Sequence, residues 1–233
     1  MSSVFVFLFF DNQGTLALCH SRKVDKMAPM PKITAETDIK SANYDAIVVV
    51  APNVADLPIQ ELKDPLTAYA QVDQSGENGV FVVPSSLPSK KIVFSGTGSL
   101  KSDYDDVRSY AKAAKAGIKK AIASGSKSPL LFLNATRFPQ AETVTLLGAL
   151  EALYVPLEVR EQVPEKAVKV DELGVYTQAE AIELAKALEA GRIVSRDIGG
   201  SDPERMAAPR YIYIFFFLII FTKILYFILS FEH

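Results

Sequence analysis

The chain has 233 residues, enough for one domain of ordinary size with extensions and a sizeable core. Its 25 basic and 27 acidic residues nearly balance, so the composition indicates neither nucleic acid nor an acidic molecule as a partner. Cys19 is the only cysteine, and the two histidines, His20 and His233, lie near the ends. Residues 31–210 contain neither cysteine nor histidine. This part of the chain therefore cannot form a disulfide, a cysteine–histidine zinc site or a histidine-based catalytic triad.

The N-terminal 30 residues differ in composition from the body of the chain. The run from Val4 to Phe10 is apolar but short, ends at Asp11 and has no basic residue before it. A secretory signal normally carries such a basic leader, so a signal peptide is not favoured. Met27 is a candidate start of the folded part. The sequence predicts residues 1–30 as a disordered or artefactual leader.

Apolar runs bounded by proline, glycine or polar residues predict the strands of the body. The predicted strands are 45–52, 79–84, 91–95 and 129–134, with 154–159 as a further candidate that Pro156 would place at a sheet edge.

Helices alternate with these strands. The segment 61–72 is polar and helical in pattern. A long helix is predicted from near Tyr104 to Gly125, with its N-terminus capped by Ser102 or Asp103. Further helices are predicted over 140–154 and from the capping box that begins at Thr177, the latter with a buried stripe of Ala181, Leu184, Ala185 and Leu188. The alternation predicts an α/β domain over 31–198, with a mixed or mostly parallel sheet flanked by helices.

The C-terminal part changes character after this domain. Residues 199–210 are predicted as a linker, with a break at Gly199-Gly200, and as the start of a next helix. In the apolar tail, 211–233, the 21 residues from Tyr211 to Phe231 include one charged side chain, Lys223. As a helix this run would be roughly 31 Å long, enough to cross a bilayer, although Lys223 would fall in mid-span. Its Tyr, Ile, Phe, Leu and Lys residues share A/T-rich codons, which favours intron read-through or a frame error over a membrane anchor, and both interpretations stay open.

Two groups in the body could be functional, and each also has a structural explanation. Gly96-Thr97-Gly98 could cradle a phosphate, but the third glycine of a dinucleotide fingerprint is replaced by Lys101, which favours a simple tight turn. Asp103, Asp105 and Asp106 could bind a hard cation such as Mg²⁺ or Mn²⁺, but capping and interaction with the helix dipole explain them without a metal and are favoured.

The remaining candidates are weaker. Ser85-Ser86 and 124–126 have no base in the body to activate a hydroxyl, and Cys19-His20 is an adjacent pair within the leader. The lysines of the long helix are interpreted as a solvated face. The sequence therefore predicts no catalytic, cofactor-binding or metal-binding residue in this chain.

The order of elements resembles the N-terminal domain of the leucyl (cytosol) aminopeptidase family over roughly residues 40–210. The similarity lies in the strand and turn of 91–98, the Ala- and Lys-rich helix of 105–123, and the junction of Gly191, Arg196-Asp197-Ile198 and 201–207. Gly199-Gly200-Ser201 stands where the family has Asn-Pro-Pro, which indicates a divergent branch.

The resemblance implies a macro-domain-like fold within a cytoplasmic, usually hexameric, exopeptidase that uses two divalent metals, Mn, Zn or Mg. The family's metal-binding residues lie in its C-terminal domain, and nothing after Arg210 matches them. The expected function is a non-catalytic N-terminal domain, truncated before the catalytic domain and inactive by itself. A small ligand-binding macro-like module and a tail-anchored membrane protein are the alternatives.

Overall fold

The computed structural model describes residues 7–10, 16–19, 30–73, 79–134, 138–177 and 179–201. Two sheets are formed within these ranges. Strands β1 (Phe7–Phe10) and β2 (Leu16–Cys19) pair antiparallel with each other, inside the segment that the sequence sets apart as a leader. The domain itself is built on a separate six-stranded sheet.

The six-stranded sheet is mostly parallel, as the sequence predicts. Its strands are β3 (Lys32–Glu36), β4 (Ala46–Ala51), β5 (Val80–Pro84), β6 (Lys91–Gly96), β7 (Pro129–Leu133) and β8 (Glu172–Tyr176). The spatial order is β3-β8-β7-β4-β6-β5, and only β5, at one edge, runs antiparallel to its neighbour.

Strand β4 shows why the sheet is covered on both faces. All six of its residues are buried, and successive side chains point to opposite faces. Val48 and Val50 belong to the core on one face, whereas Ile47 and Val49 belong to the core on the other. A continuous β-branched run therefore specifies a central strand between two apolar layers.

Among the described residues, five α-helices and one short 3-10 helix (Pro164–Lys166) complete the fold. The α-helices are α1 (Gln60–Val72), α2 (Arg108–Ala123), α3 (Ala141–Leu153), α4 (Leu157–Gln162) and α5 (Ala179–Gly200). Side chains of α2, α3 and α5 share one core, and Leu62 and Leu66 of α1 join the opposite one. The α2–α3 contact is close because Gly148 of α3 lies directly against the backbone of Ala111.

The predicted edge strand over 154–159 is wrong. Tyr154–Pro156 is extended, and α4 then runs from Leu157 to Gln162. Pro156 immediately precedes the helix, with φ −55° and ψ 147°, and Glu158 lies in its first turn. Proline fixes the backbone φ angle near the value found both just before a helix and in an edge strand. The sequence around Pro156 therefore fits either a helix or an edge strand.

Two helix boundaries differ from the predictions. Helix α2 begins at Arg108, four residues after the predicted Tyr104. Helix α5 continues to Gly200 instead of breaking at Gly199-Gly200. Its buried face is also rotated: Ile182, Ala185, Glu189 and Ile193 are buried, whereas Leu184 and Leu188 are 54% and 46% exposed.

Residues 202–233 lie outside the described part of the chain, and so does Gln178 of the predicted capping box. Within the described ranges, none of the helices has the length and apolar character that crossing a bilayer requires. The apolar run 211–231 is not among them, so its two interpretations stay predictions.

Candidate functional site

The carboxyl ends of the five parallel strands meet at one edge of the sheet, where open α/β folds most often bind ligands. The Gly96-Thr97-Gly98 turn follows β6 at this edge. The amide of Gly96 donates to Gly79 O at 3.1 Å, and the amide of Thr97 donates to Ala51 O at 3.0 Å. Two donors that a phosphate would need are therefore engaged within the protein. Gly98 has φ +81°, a left-handed conformation that favours glycine, and residues 97–100 form an irregular loop at the position of the predicted tight turn.

An open groove of about 740 Å³ lies at the other side of the same edge, between the ends of β3 and β8 and the starts of α3 and α5. Three carboxylates line it, those of Glu36, Glu142 and Glu180, together with the apolar Ala181 and Leu184. Glu36 Oε1 accepts the amides of Thr37 and Asp38 at 2.9 and 3.1 Å, and these bonds lower its pKa. Because the groove is acidic, it disfavours a phosphate-bearing ligand.

The acidic residues before α2 serve the backbone. Asp105 Oδ2 accepts the amide of Ser102 at 2.7 Å, and Asp106 Oδ1 accepts the amide of Arg108 at 2.8 Å. The Arg108 side chain also donates to Asp106, and hydrogen bonds from that residue lower the pKa of the Asp106 carboxyl. These contacts give Asp105 and Asp106 a structural role, but the predicted cap is wrong: α2 begins after Val107 and has no side-chain cap at Ser102 or Asp103. Among the described residues, no three His, Cys, Asp or Glu side chains are grouped to hold a metal.

The serines singled out in the sequence are bonded to the protein. Ser126 Oγ donates to the Asp45 carboxylate, whose other oxygen accepts the amide of Lys127 at 2.6 Å. Ser124 Oγ donates to Ala121 O, and Ser85 Oγ accepts the amide of Leu87. Each hydroxyl thus stabilises a turn beside a strand, consistent with the absence of a base near it in the sequence.

Sequence reasoning missed a network of charged side chains on the buried side of α5. The sequence feature that could have indicated it is Glu189, an acidic residue at a position that faces the core. Glu189 is 1% exposed and accepts Arg196 Nη1 at 2.7 Å, while Arg192 Nη1 lies 3.1 Å from its other oxygen. Arg192 also reaches Glu151 of α3 at 3.0 Å, and Lys115 of α2 reaches the same carboxylate at 2.6 Å. The network joins α2, α3 and α5.

A second part of this network surrounds Asp197, within the junction motif Arg196-Asp197-Ile198. Asp197 Oδ1 accepts Arg160 Nη2 at 2.5 Å and the Tyr154 hydroxyl at 2.7 Å. The Arg196 guanidinium lies 5.1 Å from the centre of the Tyr154 ring, a cation–π distance. Arg160 also donates to Val155 O at 3.0 Å. The junction motif therefore anchors the end of α5 to α4 and to the segment after α3.

Burial and the adjacent Asp197 carboxylate raise the pKa of Tyr154 to about 12. Because the folded pKa exceeds that of an exposed phenol, about 10, the hydroxyl contributes stability fully below pH 10. This contribution is lost as the pH rises towards 12.

We expect the Tyr154→Phe variant to reveal this titration. The free energy of unfolding of the wild-type chain should fall faster than that of the variant between pH 10 and 12, because the variant has no phenol to ionise. Urea titrations at intervals across that range measure the difference. Parallel stability curves for the two proteins would contradict the assignment.

Comparison with known proteins relates this structure to a family. No family model matches the sequence. A Caenorhabditis elegans protein named as a presumed aminopeptidase is 38% identical over 195 residues, which cover 77% of this chain and 37% of that protein.

Solved structures share the fold. A mutant of tomato leucine aminopeptidase matches with a TM-score of 0.57 and 17% identity over 77% of this chain and 40% of that chain. The bottromycin maturation enzyme BotP, in complex with Mn, matches at 0.54 and 16% over 72% and 34%. The predicted resemblance to the leucyl aminopeptidase family is confirmed, and this chain is a homologue of aminopeptidase-like proteins over about a third of their length.

Proposed function

We propose that this chain acts as the non-catalytic N-terminal domain of a leucyl-aminopeptidase-like protein. The observation that carries the proposal is the extent of the fold match: most of this chain superimposes on 40% of tomato leucine aminopeptidase. The match covers the six-stranded sheet and the helices around it. Among the described residues we find no group of side chains that would form a catalytic centre.

The residues present do not fit the metal pair that the family implies. Asp105 and Asp106 direct carboxylate oxygens at backbone amides, and the Glu151 and Glu189 carboxylates are held by Lys and Arg side chains. In a full-length relative, two divalent metals (Mn, Zn or Mg) would polarise the scissile carbonyl and activate water. The ligands would come from the remainder of such a protein; BotP, which shares this fold over part of its chain, was solved in complex with Mn.

A domain of this kind contributes to assembly and to the surroundings of the active site. The network around Glu189 and Asp197 supports that role, because it fixes the direction of α5 at the junction motif. A homohexamer and a cytoplasmic location are further parts of the proposal, drawn from the family resemblance.

We expect the purified chain to show no hydrolysis of leucine amide in the presence of added Mn²⁺. Tomato leucine aminopeptidase under the same conditions is the positive control. Metal-dependent turnover that scales with the concentration of this chain would refute the proposal. A calorimetric titration of the same sample with ADP-ribose distinguishes the alternative of a macro-like binding module; the bonded amides at Gly96 and Thr97 and the acidic groove predict no heat.

A further inference from the structure

Tyr104 is an aromatic residue that the folded domain leaves in solvent. The sequence predicts the start of α2 here, but that helix begins at Arg108, so Tyr104 lies in the loop that follows β6. The loop is at the carboxyl edge of the sheet, and Tyr104 is 87% exposed. An aromatic ring stabilises a fold through the apolar surface that it buries. The stability of this domain therefore does not explain the residue.

The other tyrosines in the described part of the chain have structural roles. Two of them are buried, two donate the hydroxyl to a carboxylate, and the ring of one packs against Phe132. In that order they are Tyr44, Tyr110, Tyr69, Tyr154 and Tyr176. In contrast, the structure gives Tyr104 neither a hydrogen bond nor a ring contact with any described residue. Its hydroxyl is available to another molecule.

A closed turn holds the backbone of Tyr104 at the surface. The amide of Asp105 donates to Ser102 O at 3.1 Å, and Asp105 Oδ2 accepts the amide of Ser102 at 2.7 Å. These two bonds close a four-residue turn in which Tyr104 is the third residue. The backbone is thus fixed while the phenol points away from any described partner, as is common for residues that an enzyme recognises on a loop.

Carboxylates flank Tyr104 in the sequence. Asp103 precedes it, and Asp105 and Asp106 follow it. Asp103 is exposed, and the structure gives its carboxylate no bond within the described ranges. Its charge is therefore free to interact with a basic surface of another protein. An acceptor residue among carboxylates is complementary to a substrate-binding groove lined by basic side chains.

We propose that Tyr104 is a phosphorylation site for a protein tyrosine kinase that selects acidic sequences. The phenolic oxygen attacks the γ-phosphorus of ATP, the bond from that phosphorus to the bridging oxygen breaks, and ADP leaves. The phenolic proton passes to the catalytic base of the kinase. The phosphate adds a charge of about −1.5 to −2 at pH 7 to the loop that leads into α2.

Phosphorylation of the folded full chain tests this assignment. The chain is incubated with ATP, Mg²⁺ and a purified tyrosine kinase whose activity is verified on a glutamate–tyrosine copolymer. Mass spectrometry of tryptic peptides measures the phosphate on each tyrosine. We expect Tyr104 to carry at least about tenfold more phosphate than Tyr110, because a buried tyrosine reacts only when the domain opens locally. Tyr104→Phe should remove most of the incorporated phosphate.

Asp103→Asn tests the recognition of the acidic sequence. It should lower the kcat/KM of the kinase for this chain about two- to fivefold, the effect of losing one exposed charge pair. Asp171→Asn is the matched control, because Asp171 is also exposed but precedes β8, at the opposite edge of the sheet. It should leave kcat/KM unchanged. Circular dichroism checks that each variant is folded.

Three results would overturn the proposal. The first is phosphate spread evenly over the tyrosines of the chain. The second is phosphate mainly on a tyrosine other than Tyr104. The third is an equal kcat/KM for Asp103→Asn and for the wild-type chain.

Discussion

Replacement of Asp197 by alanine is expected to lower the free energy of unfolding by about 3–5 kcal/mol, the range for removing one partner of a buried ion pair. The Arg160 side chain is 6% exposed, and its Nη2 lies 2.5 Å from Asp197 Oδ1. Without the carboxylate, a buried guanidinium would keep one carbonyl partner, Val155 O. The Tyr154 hydroxyl would lose its acceptor as well.

The control for this variant is Lys186→Ala on the same helix. Lys186 pairs with Glu183 at 2.7 Å, and the two side chains are 33% and 73% exposed. An exposed pair at this spacing contributes at most about 0.5 kcal/mol. Urea denaturation followed by circular dichroism measures both variants. Equal losses for Asp197→Ala and Lys186→Ala would show that the buried network does not hold α5.

The second large effect is expected at the contact between α2 and α3. A Cβ at Gly148 would lie 2.3 Å from Ala111 O and 2.5 Å from Ala111 Cα. Backbone atoms inside a packed helix cannot move as a flexible side chain can, so the two helices must separate. We expect Gly148→Ala to cost about 3 kcal/mol, at the upper end of the range for overpacking.

Thermal unfolding measures this second effect. A loss of about 3 kcal/mol corresponds to a fall in Tm of roughly 6–12 °C for a domain of this size. Gly199→Ala is the matched control, because Gly199 is also helical and an added Cβ would meet nothing within 4 Å. Alanine there should be neutral or stabilise by up to about 1 kcal/mol. Similar melting temperatures for both variants would contradict the close approach.

Two strands show the limit of reading local patterns. The sequence predicts neither β3 nor β8, although both strands complete the sheet. The β3 run, Lys32–Glu36, has little apolar character, and only Ile33 in it is buried. In β8, Gly174 interrupts the pattern because the ring of Tyr44 occupies the space where a Cβ would lie, at 2.3 Å. The pairing of β3 with β8 and the contact of Gly174 with Tyr44 are visible only in the tertiary structure.

The predicted orientation of α5 is wrong for a related reason. Leu184 and Leu188 are the large apolar residues of the predicted buried stripe. The folded domain instead buries Glu189, because Arg192 and Arg196 neutralise it there. Hydrophobic periodicity cannot identify a buried carboxylate whose partners come from its own helix and whose neighbours come from α3.

The sequence alone determined the α/β class, the central strands and the aminopeptidase relationship. These features depend on local patterns: β-branched runs buried on both faces, alternating amphipathic helices and a recognisable junction motif. Only the tertiary structure decided the strand order, the edge strands, the helix at Leu157–Gln162 and the face that α5 presents to solvent. Each of these depends on contacts between residues distant in the chain, above all the ion pairs of Arg160 with Asp197 and of Glu151 with Lys115 and Arg192, which no local pattern records.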